Sequence, residues 1–232
     1  MQQYPRLFNL INLFLINILL SSCTESIIEP AERLFGSSYY PLEKGHFIEF
    51  SVEKITYKEF EPTDTSTYFL REEIGDTLTD LSGNIVQKIL LYKTTDTLQN
   101  WALDSVWSVR YDFNRIIKSE HNTPFIKMVF PIESNLQWNG NALNTLDEQI
   151  YTVHNLKKSF KNFENTFKII SQNDSSLIDK NVKWEIYAEA VGMVESLQIS
   201  LEYISDFSDP YYGTDSIQRG VYIHKQFMNS SK

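Results

Sequence analysis

A mainly β fold, an antiparallel meander forming a curved sheet or incomplete barrel, is what this 232-residue chain predicts, and three observations carry the prediction. Apolar and polar residues alternate over one stretch after another, which is the period of a strand with one face in a core and the other in water. Short runs containing Gly, Pro, Asn or Asp divide these stretches at hairpin spacing. The composition agrees: thirteen tyrosines, fifteen phenylalanines and four tryptophans make the aromatic share 14%, with only eight glycines, a bias that suits pleated sheet better than a helix bundle. Apolar residues at 42% suffice for a packed core, so intrinsic disorder is not expected.

The first element is not a strand. Residues 7–20, Leu-Phe-Asn-Leu-Ile-Asn-Leu-Phe-Leu-Ile-Asn-Ile-Leu-Leu, form an apolar run too short for the roughly 20 residues a membrane-spanning helix needs, but of the length of a secretory signal core. Leu20-Ser21-Ser22-Cys23 closes it with a leucine, two small residues and the one cysteine of the sequence. This resembles the lipobox of bacterial lipoproteins. The resemblance implies that a diacylglycerol is attached to the Cys23 thiol, that residues 1–22 are cut off, and that Cys23 becomes the acylated first residue. One chain binds a membrane marginally, whereas two or three together hold a protein firmly. Thr24 stands where an aspartate would signal retention at the inner membrane, so the expected location is the outer membrane, with the domain facing the periplasm or the cell surface.

Removal of residues 1–22, which take Arg6 with them, leaves 20 basic and 30 acidic side chains. The longest basic run is Lys157-Lys158, which argues against nucleic acid as a partner. With its one cysteine committed to lipid, the domain must stand on its core without disulfides. The expected organisation is a signal peptide at 1–22, the lipidated cysteine and a tether at 23–38, and a single β domain at 39–228.

The domain opens at Tyr39-Tyr40-Pro41-Leu42-Glu43-Lys44-Gly45. In the strand that follows, Ile48, Phe50 and Val52 alternate with Glu49, Ser51 and Glu53; the apolar parity then flips to Ile55 and Tyr57, which predicts a bulge near Glu53 and Lys54. Residues 67–74 place Tyr68, Leu70 and Ile74 on one face. Residues 85–94 form a strand whose section Ile89-Leu90-Leu91-Tyr92 is apolar on both faces, as in the middle of a sheet. Trp107, Val109 and Tyr111 mark another, Asp112-Phe113-Asn114 turns the chain into 115–119, and 125–130 sets Ile126, Met128 and Phe130 on one face ahead of Pro131.

A short helix or loop insertion around 141–163 interrupts this rhythm. Asn139-Gly140 after Trp138 is a turn signal because both residue types tolerate positive φ. A strand is expected at 148–154, and Leu156, Phe160 and Phe163 then stand at helical spacing with lysines opposite, which allows a short amphipathic helix or an extended loop. Strands follow at 165–171, 183–188, 194–204 and 220–227, with an acidic loop at 205–216. A weak echo links Pro41-Leu42-Glu43 with Pro131-Ile132-Glu133. Pro41-Leu42 to Gly45 with Phe47 and Phe50, Trp138-Asn139-Gly140-Asn141, and Tyr187-Ala188 to Val191-Gly192-Met193-Val194 together resemble a set of uncharacterised β-rich lipoproteins of Gram-negative bacteria. That resemblance implies a fold and a cellular address, but no activity.

Chemistry is sparse along the chain. His46, His121, His154 and His224 lack partners at metal spacing, so neither a metal nor another cofactor is expected. Asp206, Asp209 and Asp215 match no calcium loop. Ser51-x-x-Lys54 lies on a strand, where residues three apart face opposite sides. Tyr211 and Tyr212, between Pro210 and Gly213, are the candidate contact surface, because exposed aromatics offer flat apolar area to sugars or proteins. The expectation is therefore not an enzyme but a lipid-anchored binding or assembly module of the cell envelope with a protein or glycan partner. The alternatives are a carrier of an apolar ligand in a half-barrel cavity, which needs an internal space of several hundred Å³, and a hydrolase with paired carboxylates, which needs a buried acid of raised pKa. If the anchor is as expected, Cys23→Ala abolishes palmitate labelling and moves the protein out of the membrane fraction; an unchanged membrane fraction would refute it.

Overall fold

The computed structural model describes residues 36–98 and 100–231. Cys23 and residues 24–35 of the expected tether lie outside the described residues. Among the described residues a 3-10 turn, Ser37–Tyr39, precedes twelve strands: β1 Phe47–Tyr57, β2 Asp64–Thr79, β3 Ile85–Thr94, β4 Ala102–Asp112, β5 Arg115–Glu120, β6 Thr123–Val129, β7 Gln137–Asn139, β8 Ile150–Phe160, β9 Phe163–Ser175, β10 Asp179–Ala188, β11 Gly192–Tyr203 and β12 Ile217–Ser230. All belong to one sheet of order β6-β5-β4-β3-β2-β1-β12-β11-β10-β9-β8-β7. Every pairing in it is antiparallel.

The first and last strands meet in the middle of this order, Ile48 opposite Ser230 and Tyr57 opposite Gly220. Its two ends, β6 and β7, come together at a seam that no strand ladder seals. Bonds cross it singly: the Ile126 N–H donates to Gly140 O (2.9 Å), Trp138 Nε1–H to Ile126 O (2.8 Å) and Asn144 Nδ2–H to Pro124 O (2.8 Å). The result is a meander nearly closed into a barrel, as the alternation predicts.

Inward parity explains the core. Phe50 and Val52, Leu70 and Ile74, Ile89 and Leu91, Val109, Ile116, Met128, Tyr151 and Val153, Phe167 and Ile169, and Tyr187 are drawn from nine strands and buried in one cluster. The segment before β1 closes one end of the barrel. Tyr39 meets Phe167 edge-on at 4.8 Å, Tyr40 lies 6.1 Å from Tyr187, and the Tyr111 hydroxyl donates to Ser37 O (3.0 Å). Gly36, at φ +100°, sits so close to Ile132 that a Cβ there would lie 2.6 Å from it, which brings the segment after β6 to the same end. The six odd-to-even connections, from β1–β2 to β11–β12, lie at the opposite, open end.

Three local expectations are corrected. The register of β1 with β2 runs unbroken from Phe47 to Thr56, and the irregularity lies on the β12 side between Glu49 and Phe50, not at Glu53 and Lys54. Ile55 faces the opposite side from Val52, beside Tyr222, so the parity flip marks a change in which face is apolar and needs no extra residue. Gly140 has no positive φ; a Cβ at this position would fall 2.4 Å from Tyr151 Cε1, so glycine is required for space. The insertion is a loop between β7 and β8, while residues 156–163 form the end of a β8–β9 hairpin. Asn155, Lys157 and Lys161 adopt φ near +55°, which a helix cannot contain. The three apolar residues at helical spacing serve different clusters: Leu156 touches the main core, and Phe160 and Phe163 join a second cluster with Ile186, Ala188 and Val194.

Because the Tyr151 ring is buried and has no room to yield, Gly140→Ala should lower stability by about 1–3 kcal/mol, the usual cost of overpacking. The shift of the urea midpoint measures it.

Candidate functional site

The barrel is not filled. Between the plug residues Tyr40 and Pro41 and the open end lies a cavity of about 410 Å³. Its walls follow from strand parity. On β2, Glu72 takes the inward position between Leu70 and Ile74; on β10, Lys183 and Glu185 share the parity of Tyr187; on β12, Lys225 pairs with Val52; and on β5, Lys118 and Glu120 continue from Ile116. Lys127 enters from β6 beside a register shift. Four ammonium groups and three carboxylates, with the exposed Asp104 as a fourth acid, thus line a space whose other walls include Ile48, Ile89, Leu91 and Met193.

Most of these charges are paired. Lys118 Nζ lies 3.0 Å from Glu72 Oε2 and 3.4 Å from Glu120 Oε1, Lys127 Nζ 2.5 Å from Glu185 Oε1, and the Tyr187 hydroxyl donates to Glu185 Oε2 (2.7 Å). Lys225 Nζ stands 3.6 Å from Glu72 Oε1, which accepts no hydrogen bond from the described residues. Burial opposes ionisation of Glu72, Lys118, Glu120, Lys127 and Glu185, but the attraction of opposite charges wins for each of them. The Lys118 and Lys225 ammonium groups hold the Glu72 carboxyl below its usual range, and Lys127 does the same for Glu185. Glu120, with Lys118 and Lys127 near, falls to about 2. Lys118 and Lys127 are correspondingly held above the ordinary lysine range. Burial, partly offset by Lys118, pushes the Tyr40 phenol up to about 12.

Two donors stand apart. Lys183 makes no ion pair or side-chain hydrogen bond with the described residues, and burial together with the nearby Lys127 charge lowers its pKa. The indole N–H of Trp107 is buried without an acceptor, while the Lys118 ammonium lies 4.6 Å from the Trp107 ring centroid. The paired carboxylates that a hydrolase would need do exist, Glu72 and Glu120 flanking one lysine, but both are pushed down, the reverse of what a general acid requires.

Around the open end, five of the six connections carry an exposed large apolar residue: Phe60, Leu98, Leu143 with Leu146, Leu177 with Ile178, and Phe207 with Tyr211. The same connections hold eight acidic residues, among them Glu59, Glu61, Asp206 and Asp209, against one basic residue, Lys58. Tyr211 is 61% exposed, whereas Tyr212 is half-buried against Phe207 at 4.5 Å. Asp206 accepts from the Ser208 N–H (2.8 Å) and Asp209 from the Tyr211 N–H (2.8 Å), so both carboxylates fold their own loop. The histidines stay dispersed: His46 bonds Val191 O (2.9 Å), His121 lies edge-on to Trp107, and His224 bonds Glu195 (2.8 Å) on a wall of the second cluster. Among the described residues no group of three or more His, Cys, Asp and Glu side chains is placed to hold a metal ion. Sequence reasoning missed the interior charges, although Glu72 between Leu70 and Ile74 was a visible signal.

What these features define is an incomplete antiparallel β-barrel with a charged internal cavity and an apolar, acidic rim. No protein-family model matches the chain, and no curated protein matches it. Among solved structures it is similar to a Bacteroides fragilis protein, taken to be exported and described as having a YmcC-like fold, with 11% identity and a TM-score of 0.41 over 83% of this chain and 98% of that one.

The electrostatics set a pH dependence. Depression of Glu120 from 4.5 to about 2 corresponds to about 3 kcal/mol of stability, present above pH 4.5 and lost as the pH falls toward 2. Glu72 and Glu185, also lowered, act in the same direction. The stability gap between the wild type and Glu120→Gln, read from urea unfolding, should therefore be largest near neutral pH and close as the pH approaches 2.

Proposed function

We propose that this chain is a cell-envelope lipoprotein, held in the outer membrane by lipid on Cys23 and facing the periplasm or the surface, that binds a small molecule inside its barrel. The observation that carries the reading is the cavity of about 410 Å³ within an otherwise well-packed core, a volume in the range of small-molecule sites. This favours the carrier among the readings the sequence leaves open. It also revises the ligand, because a purely apolar occupant would leave seven ionisable side chains without their best surroundings. A molecule with both a polar and an apolar part matches walls that set Glu72 and Lys225 beside Leu70 and Ile223.

The rim supports a second reading, an assembly contact with an envelope protein. Exposed Phe60, Leu98, Phe207 and Tyr211 among acidic side chains suit a partner surface that is apolar and basic. A glycan could stack on Tyr211 alone, but it would leave the aliphatic tips uncovered.

Native mass spectrometry of the full chain extracted from its own envelope tests the first reading. A bound mass that is lost on denaturation is expected. Ser196→Phe, which projects a ring into the cavity from β11, should remove that mass while the thermal midpoint moves by only a few degrees. Wild-type protein that carries no bound mass and takes up no added amphiphile would overturn the reading.

A further inference from the structure

Resting on the cavity reading above, we infer that the ligand carries a carboxylate or phosphate group that sits against Lys183, with its apolar part lying along Ile48, Leu70, Ile89, Leu91 and Met193. The inference comes from counting partners. Three carboxylates and four ammonium groups line the interior. Glu72 and Glu120 are both held by Lys118, and Glu185 is held on one oxygen by Lys127 and on the other by the Tyr187 hydroxyl. Lys118 and Lys127 thus serve all three carboxylates; of the two remaining ammonium groups, Lys225 reaches Glu72 Oε1 at 3.6 Å, and Lys183 makes no ion pair with the described residues. Asp104, the fourth acid of the lining, is exposed, bonds Ser105 Oγ (3.1 Å), and is not among the charges that act on Lys183.

A buried ammonium without a counterion is costly, and an anion entering from outside removes that cost. Two further donors belong to residues that line the same space. The Trp107 indole N–H is buried without an acceptor, and Lys225 reaches Glu72 only at 3.6 Å, beyond hydrogen-bond length. One acceptor, Glu72 Oε1, also receives no hydrogen bond from the described residues. The burial that lowers the Lys183 pKa in the empty cavity belongs to the same account, since an anion alongside would restore it. An aliphatic tail is the complement to Ile48, Leu70, Ile89, Leu91 and Met193 on the remaining wall.

The test uses the full chain in lipid nanodiscs, titrated calorimetrically with octanoate, octyl phosphate, 1-octanol, acetate and inorganic phosphate against empty nanodiscs. Octanoate and octyl phosphate should bind at least ten-fold more tightly than 1-octanol, and more tightly than acetate or inorganic phosphate. Lys183→Met should bring the two octyl anions down to the level of 1-octanol while leaving 1-octanol unchanged, which also reports an intact cavity; Lys183→Arg should retain the preference. If 1-octanol binds as well as octanoate, or Lys183→Met leaves the preference in place, the anion assignment is overturned and the cavity reading survives. If acetate and inorganic phosphate bind as tightly as the octyl anions, the apolar part is overturned. If no octyl compound binds at all, the cavity reading falls and this inference with it.

Discussion

The desolvation of charge inside the barrel is the constraint on which the rest of this structure depends. An ammonium or carboxylate taken from water into a protein interior loses several kcal/mol of hydration, and the loss is recovered only where an opposite charge and good hydrogen bonds are in place. Here the partners come from strands far apart in sequence. Lys118 on β5 meets Glu72 on β2, and Lys127 on β6 meets Glu185 on β10. The second pair spans the seam between β6 and β7 through the interior, linking the two halves of the meander where the backbone ladder is missing. Closure of the barrel and pairing of its charges are therefore one event: with β6 displaced, Glu185 would keep only the Tyr187 hydroxyl.

The same constraint explains why the lead segment folds as it does. Tyr40 brings its hydroxyl into the charged region and sets its ring beside Tyr187, so one residue closes the end of the barrel and supplies a polar group to the network. Tyr39, one position earlier, packs purely as hydrocarbon against Phe167. Adjacent aromatics in an irregular segment can point to different surroundings in this way. The apolar plug lies at one end and the apolar, acidic rim at the other, so the two ends of the barrel differ in character.

Much of the fold was legible because period-two alternation is enforced wherever one face of a strand is buried. The bounds of β3 are those expected from its apolar run, and the hairpin rhythm of β4 to β6 follows from Asp112-Phe113-Asn114 and from the halt at Pro131. The hairpin at residues 156–163 was not legible, because positive φ at Asn155 and Lys157 lets a strand bulge twice and display its apolar residues at a spacing that imitates a helix. The seam was also invisible, since closure is decided by cumulative twist and not by any one motif. Within the site, Glu72, Lys183, Glu185 and Lys225 all stand at inward parity in the middle of strands, a pattern that reads as interrupted amphipathicity unless an interior charge is entertained. Lys127 had no such signal, because the register shift beside it moves it to the inside. Tyr211 and Tyr212, by contrast, drew notice by type alone, and only Tyr211 presents its ring to solvent.

A barrel of this size has a simpler way to be stable. Replacing buried ion pairs by hydrocarbon of similar volume is often neutral or stabilising, and the interior already has Phe50, Leu70 and Phe167 as neighbours for such a filling. Pairing alone would explain Lys118, Lys127 and Lys225, each of which has an interior carboxylate within ion-pair distance. A fourth ammonium, half-buried on β10 and lining the cavity, makes no ion pair with the described residues, and the Glu185 and Glu120 charges only partly offset its burial. The buried Trp107 N–H has no acceptor among them either. A cationic side chain that costs stability and lines an open internal space is what a binding site leaves exposed when it is empty. The imbalance of charge, more than the volume of the cavity, is thus what distinguishes this interior from a loosely packed core.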